Sequence, residues 1–354
     1  MTTIVQAYEE AVASGLLPGA SLVAGNISGE ITFSRSFGKA SLKEGVSRQF
    51  TDSTVCAVAS MSKLLTSVAV LQCVEDGLLD LDKDTRTLFP KIEMYGIITG
   101  FGDDNNTPIL KPDSTPITLR MLLSHTTGHE YDWLNPLLGK WRASRGEEPW
   151  TGATVEHKSV LPLLFSPGTD FAYGAGHDWA GKAVEVVTGT TLDDFMRARI
   201  WEPLGIAEDT NMSTLNDKGE PPAVDAPAFD ILFGGTDCLG GAGIFTSPKA
   251  FGIFLSALAR RDAKLLKPAS FDELFRPQLN EKQEEALNSY IDRSPIHTQL
   301  GGVPSTQWFI DHDAGIYGTA FCQILPPMNP KVLELHKKFQ REMYKLAVVD
   351  SKQS

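Results

Sequence analysis

The chain has 354 residues, 42% hydrophobic and 21% charged, which is globular composition with enough length for one large domain or two packed lobes. Its formal net charge of −12 repels phosphate backbones and argues against a nucleic-acid partner. No apolar run reaches the roughly 20 residues of a membrane helix, and MTTIVQAYEEAVASG has neither a basic start nor a continuous apolar stretch, so a cytoplasmic protein with no membrane partner is expected.

Ile4, Val5, Tyr8 and Val12 recur at helical spacing and predict a helix over 4–14, ending near Gly15. GASLVAG from Gly19 and EITFSRSFG from Glu30 flank Asn26-Ile27-Ser28-Gly29, which predicts an antiparallel hairpin. From Ser60 the period becomes helical, with Leu64, Leu65, Val68, Leu71 and Cys73 on a helix that stops before Gly77. Residues 80–118 are rich in Pro, Gly, Asp and Asn and read as surface loop with short helical pieces. Helices are expected at 119–123, 155–164, 178–188 and 192–200, the last closed by Glu202-Pro203-Leu204-Gly205. Strand-like runs return at Gly241, Thr306 and Thr319, and 330–346 reads as a closing amphipathic helix. Strands at both ends with helices between predict an α+β chain whose sheet is built from both termini. Cys56, Cys73, Cys238 and Cys322 lie far apart, without metal-ligand or Cys-x-x-Cys spacing, and read as buried free thiols. No metal or other cofactor is expected.

The strongest local signal is Ala59-Ser60-Met61-Ser62-Lys63-Leu64-Leu65 at the start of a helix. Residues three apart share a helical face, so Ser60 and Lys63 can meet. A partly desolvated Lys63 eases removal of the serine proton. The Ser60 amide lies at the helix N-terminus, where free N–H groups favour negative charge, so it can serve as an oxyanion donor. Ser-x-x-Lys also occurs as an ordinary N-capped turn. Ser62 has no lysine three residues on.

The motif keeps specific company. Leu17-Pro18-Gly19-Ala20, Ser60-Met61-Ser62-Lys63, Leu123-Ser124-His125-Thr126-Thr127-Gly128 and Ser166-Pro167-Gly168 occur in that order. Tyr173-Gly174-Ala175-Gly176-His177-Asp178-Trp179-Ala180-Gly181, Trp201-Glu202-Pro203-Leu204-Gly205, Gly240-Gly241-Ala242-Gly243-Ile244-Phe245-Thr246-Ser247 and Gln323-Ile324-Leu325-Pro326-Pro327 follow. The ensemble resembles the serine β-lactamase-related esterases and transesterases, over roughly residues 5 to 347. The Tyr-Gly-x-Gly-x-Asp-Trp form looks like the fungal, lovastatin-type transesterase branch.

The resemblance implies a β-lactamase/penicillin-binding-protein-like fold, an antiparallel sheet flanked by helices. Its α/β lobe spans approximately 1–80 and 235–354, and an inserted helical lobe approximately 81–234. It implies Tyr173 as the second catalytic group. A phenol is ordinarily a poor base at neutral pH, but beside Lys63 its phenolate is favoured, and it can take and return the Ser60 proton. The third family motif falls on Leu300-Gly301-Gly302-Val303, where Gly301 and Gly302 admit substrate and the Val303 N–H is the expected second oxyanion donor. Tyr131 and Trp133 are candidates for the acyl pocket or for core packing. His125 is expected to stabilise a turn. Gly234–Gly243 lacks Gly-Lys-Ser/Thr and reads as tight backbone packing next to the site.

The expected activity is serine acyl transfer, as esterase or transesterase, from a small-molecule ester or thioester through an acyl-Ser60 intermediate, in fungal secondary metabolism. Partners would be a small-molecule acyl donor and acceptor, with an acyl-carrier protein or coenzyme A thioester among the candidate donors. Ala175 stands where β-lactamases have Asn, and Leu300 where they have Lys. Both departures point away from the alternative of a β-lactamase or D-Ala peptidase. They keep open a second alternative, a protein that retains the fold for binding or for non-acyl chemistry.

Overall fold

A computed structural model describes residues 2–29, 32–212, 235–293, 301–324 and 329–350. Glu30 and Ile31 of the expected second strand, Gly234, Leu300 and Leu325 to Pro327 lie outside the described residues.

Helix α1 (Thr2–Ala13) leads into β1 (Gly19–Asn26) and β2 (Thr32–Gly38), the expected hairpin, paired from Gly19↔Gly38 to Gly25↔Thr32. The chain then passes through the short strand β3 (Cys56–Ala57) and a 3-10 turn (Ala59–Met61) into α2 (Ser62–Glu75). Ten of the 14 residues of α2 are buried. A helix shielded on nearly every side belongs in the middle of a core.

The stretch 80–118 was expected to be loop, but it holds a second hairpin, β4 (Ile97–Phe101) and β5 (Pro108–Lys111). A bulge between Ile98 and Gly100 breaks its two-residue alternation, which removes the strand signal from the sequence. Helices α3 (Leu119–Leu123), α4 (Pro136–Ser144), α5 (Val155–Ser159), α6 (Gly176–Thr188) and α7 (Leu192–Met196) follow. Thr118, Asn135, Thr154 and Thr191 cap α3, α4, α5 and α7 through their side-chain oxygens. The helix expected over 155–164 stops at Ser159, because Val160 is extended and Leu161 precedes Pro162, where helical backbone is disfavoured. A π-helical turn (Arg197–Trp201) joins α7 to α8 (Glu202–Leu204), and Gly205 closes it at φ 70°.

Strands β6 (Thr210–Met212) and β7 (Ile244–Thr246) form a small sheet in the order β3-β7-β6. After α9 (Pro248–Ala259), α10 (Pro268–Phe275) and α11 (Glu281–Arg293), the chain returns through β8 (Gly301–Gly302), β9 (Thr306–Asp311) and β10 (Ile316–Phe321). Helix α12 (Pro330–Asp350) follows. The main sheet is antiparallel, in the order β2-β1-β10-β9-β8, so both ends of the sequence build it. Strand alternation divides the core. Phe309, Ala320 and Cys322 join Ile4, Tyr8, Val332 and Phe339 of α1 and α12, while Trp308 and Phe321 join the larger core around α2 and α9. All four cysteines are free and buried.

Two buried polar groupings tie remote segments together. Arg142 donates to Asp132 and Glu147, each at 2.8 Å, and to the carbonyls of His157 and Lys158 at 3.1 and 2.7 Å. The Asp132 carboxylate also accepts from Trp150 N–H at 3.0 Å. The side chains of Arg142 and Asp132 are 5% and 0% exposed, so neither has water to replace its partner. In the second grouping, His336 Nδ1 lies 2.6 Å from Tyr8 Oη, and its Nε2 lies 2.8 Å from Ser305 O.

Arg142→Met is expected to cost about 3–5 kcal/mol in urea unfolding, because Asp132 is left buried and unpaired. A cost below about 1 kcal/mol would show that the pair does not lock this region. Burial holds His129 and His336 down at about 4, whereas the unfolded chain titrates near 6.5. The unfolded state therefore takes up these protons first as pH falls. Their stabilisation is fully present above about 6.5 and is lost as the pH falls toward 4, on the order of 3 kcal/mol for each histidine. Urea midpoints measured from pH 7 to pH 4 should show this fall, with a shallower slope for His336→Gln.

Candidate active site

Ser60 is positioned by constraints on both sides of it. Before it, Cys56 and Ala57 pair with Thr246 and Phe245, and Val58 N–H donates to Ile244 O at 3.1 Å. After it, Ser62 Oγ accepts from Ile244 N–H at 3.1 Å, which ties Ser62 to β7. Between these clamps Ala59 has φ 46°, a left-handed conformation uncommon for a residue with a Cβ. Ala59 and Met61 are buried while Ser60 is half-buried, so the bend turns the hydroxyl out of the core. Backbone strain of this kind concentrates at functional sites.

Lys63, on the first turn of α2, places Nζ 3.4 Å from Ser60 Oγ. Tyr173 places its Oη 2.7 Å from the same oxygen. Lys63 Nζ also donates to Gly241 O at 2.8 Å and lies 4.8 Å from the centre of the Tyr173 ring. The three predicted catalytic residues therefore converge.

The loop carrying Tyr173 is held by His125. Ala172 N–H donates to His125 O at 3.0 Å, Gly174 N–H donates to His125 Nδ1 at 3.3 Å, and the two rings lie 4.6 Å apart. His125 itself has φ 59°, a turn conformation, in keeping with the structural part expected of it. The glycines after Tyr173 have a steric reason. A Cβ on Gly174 would lie 2.3 Å from His129 O, and one on Gly176 2.0 Å from Leu122 O.

Tyr131 is buried behind Tyr173, with ring centres 5.7 Å apart, and it also meets Trp150 at 4.9 Å and Trp133 at 5.4 Å. Burial, with the Asp178 charge beside it, pushes the Tyr131 phenol well up, so it remains a hydroxyl. Trp133 is 50% exposed and forms the open edge of this aromatic wall. On the other side, β8 presses on the backbone just before Ser60: a Cβ on Gly302 would lie 2.3 Å from Val58 O. Val303 follows immediately, in the turn that Ser305 bends at φ 65°. His177 is buried next to Lys63 and His125, and desolvation with those neighbours holds it well below the usual imidazole range. Among the described residues, no group of three His, Cys, Asp or Glu is arranged to hold a metal ion. Nor is any helix among them long and apolar enough to cross a membrane.

Residues 4–329 match the family model described as beta-lactamase. The chain belongs to the beta-lactamase family. Within that family it is 31% identical to monacolin J acid methylbutanoyltransferase of Aspergillus terreus, over 96% of this chain and 94% of that protein. It is also 31% identical to lovastatin esterase of Penicillium rubens, over 96% and 97%. The solved structure of unliganded simvastatin synthase from Aspergillus terreus matches with a TM-score of 0.82 at 29% identity, over 97% of both chains. This beta-lactamase-family chain is an enzyme of the acyltransferase and esterase kind.

The sequence pairs Lys63 with Ser60 and Tyr173, but its bond to Gly241 O and the partners of Asp178 are not foreseen there. Asp178 entered only as one letter of a motif, and Gly240-Gly241 only as tight packing. The signal was the coincidence of a carboxylate one turn into α6 and a glycine pair, but which groups they bond is fixed by the fold.

Gly302→Ala should force β8 away from Val58 and cost about 1–3 kcal/mol in urea unfolding. A variant as stable as the parent would show that the hairpin is not pressed there.

Proposed function

We propose that Ser60 is the nucleophile, that Lys63 and Tyr173 move its proton, and that the backbone amides of Ser60 and Val303 receive the oxyanion. The observation that carries this reading is the convergence on one serine oxygen of Tyr173 Oη at 2.7 Å and Lys63 Nζ at 3.4 Å. In the first half-reaction Tyr173 acts as the phenolate, beside the Lys63 ammonium: Ser60 Oγ bonds to the carbonyl carbon of an ester or thioester and its proton passes to the Tyr173 oxygen. Collapse of the tetrahedral intermediate breaks the bond to the leaving alcohol or thiol, which takes the proton back. In the second half an acceptor alcohol, or water, bonds to the acyl carbon and gives its proton to Tyr173; collapse breaks the bond to Ser60 Oγ, which takes that proton back.

Trp133, with Tyr131 behind it, lines the acyl side. Gly301 and Gly302, expected to admit substrate, instead have their bare faces filled: a Cβ on Gly301 would lie 2.1 Å from Thr306 O, and one on Gly302 2.3 Å from Val58 O, so they serve close packing of β8 beside Ser60. The names of the relatives, a methylbutanoyltransferase and a lovastatin esterase, support a short branched acyl group and a small-molecule alcohol as the acceptor. A small thioester, carried by coenzyme A or an acyl-carrier protein, is the donor this reading favours. Ala175 contributes a buried methyl where a lactam amide would need a polar partner, which supports ester rather than lactam chemistry.

The test is intact-mass detection of acyl-Ser60 with a panel of short acyl thioesters, alongside hydrolysis of p-nitrophenyl esters. Ser60→Ala should abolish the adduct, and Tyr173→Phe should slow acylation by roughly a hundredfold or more. Equal rates for wild type and Ser60→Ala would overturn the reading.

A further inference from the structure

The Gly240-Gly241 segment is bonded on three sides, and each bond leads back to the site. Thr66 Oγ1 donates to Gly240 O at 2.7 Å, Gly241 N–H donates to Asp178 Oδ1 at 2.9 Å, and Lys63 Nζ donates to Gly241 O at 2.8 Å. A side chain has no place here. A Cβ on Gly240 would lie 2.4 Å from His177 O, and one on Gly241 2.9 Å from Asp178 Oδ2. Asp178 is 1% exposed, and its Oδ2 accepts from the Tyr131 hydroxyl at 3.4 Å. Both carboxylate oxygens act as acceptors, the pattern of the ionised form. Lys63 and Asp178 do not form a direct ion pair; the N–H and C=O of one glycine join them.

We propose that Asp178 is a positioning residue for acyl transfer: through Gly241 it fixes the carbonyl that holds the Lys63 ammonium against Ser60, and its charge balances that ammonium. The proposal rests on the reading of Ser60, Lys63 and Tyr173 given above. Asp178 lies five residues past Tyr173, so the turn that delivers the phenol also delivers the carboxylate. A neutral amide could accept from Gly241 N–H equally well. The carboxylate instead carries a desolvation cost that pushes it upward, opposed by Lys63, the Gly241 N–H, the Tyr131 hydroxyl and Lys158. What the carboxylate adds over an amide is its charge. The titratable groups around it are Lys63 of α2, Lys158 of α5, His177 of α6, and Tyr131 and Tyr173 of the adjoining loops. His177 is held uncharged by burial and by its neighbours His125 and Lys63, which leaves the two lysines as the local cations.

The test is the pH profile of Ser60 acylation by p-nitrophenyl butyrate in wild type and Asp178→Asn. The asparagine keeps an acceptor for Gly241 N–H and removes the charge. Losing the anion disfavours the ammonium at Lys63 and favours the phenolate at Tyr173. Both limbs of the profile should therefore move to lower pH, with the maximal rate down by roughly ten- to a hundredfold. A reduced rate on an unmoved profile would make Asp178 merely structural and overturn the proposal, as would wild-type kinetics. Should Asp178→Asn not fold, Tyr131→Phe takes its place. It removes one donor from the carboxylate, which then loses its charge at higher pH, so the rate relative to wild type should fall progressively as the pH drops; a ratio that does not change with pH would overturn the proposal. Fluorophosphonate labelling of wild type separates the two readings. No label on Ser60 removes the nucleophile itself, whereas a labelled wild type with an unmoved variant profile removes only Asp178.

Discussion

A single ammonium group, Lys63 Nζ, is the constraint on which the rest of the site depends. Its residue is 9% exposed, and a buried charge is costly unless it is hydrogen-bonded and balanced. The fold meets that demand with Gly241 O at 2.8 Å, Ser60 Oγ at 3.4 Å and the face of the Tyr173 ring at 4.8 Å. Each partner comes from a different part of the chain. The loop before α6, the turn before β7 and the start of α2 must all be in register before the ammonium is satisfied. The same three segments hold the candidate chemistry, so the requirement for a hydrogen-bonded buried cation and the placing of the candidate serine are met by one arrangement.

The surrounding architecture explains why that register is reproducible. Helix α2 is buried on nearly all sides, so it cannot rotate without emptying several packing layers. The small sheet β3-β7-β6 grips the chain immediately before and after Ser60, through Val58 and Ser62. Gly302 brings β8 against Val58 from the other side. Rigid elements thus hold the serine, and the irregular backbone between them, with Ala59 at φ 46°, aims it.

Much of this was legible in the sequence, for physical reasons that differ by element. The β1-β2 hairpin, α1, α2, α6 and α12 carry clear periods or turn chemistry. The pairing of Ser60 with Lys63 follows from helical spacing, while Tyr173 was reached only through the ordered set of segments around it. Helix α9, PKAFGIFLSALA, is missing from the expected elements although nine of its 12 residues are buried. Its start signal, Ser247 followed by Pro248, was nevertheless present. The β4-β5 hairpin is hidden by its bulge, and α5 is shorter than its apolar period suggests because Pro162 keeps the residue before it extended. Asp178 and Gly241 could not be paired from sequence, since their hydrogen bond joins residues 63 apart and depends on how α6 meets the turn before β7.

The contact between Tyr8, His336 and Ser305 has a consequence for biosynthesis. Ser305 bends the turn that carries Val303, and its carbonyl lies 2.8 Å from a ring near the end of the chain, which in turn lies against a phenol near the beginning. A ribosome releases Ser60 and Lys63 early, but the turn beside them is buttressed only after α12 has emerged and docked on α1. Closing so large a loop is a late event in folding. Helix α12 therefore acts as a late check: a product cut before it carries the serine and the lysine without the buttress under the turn beside them.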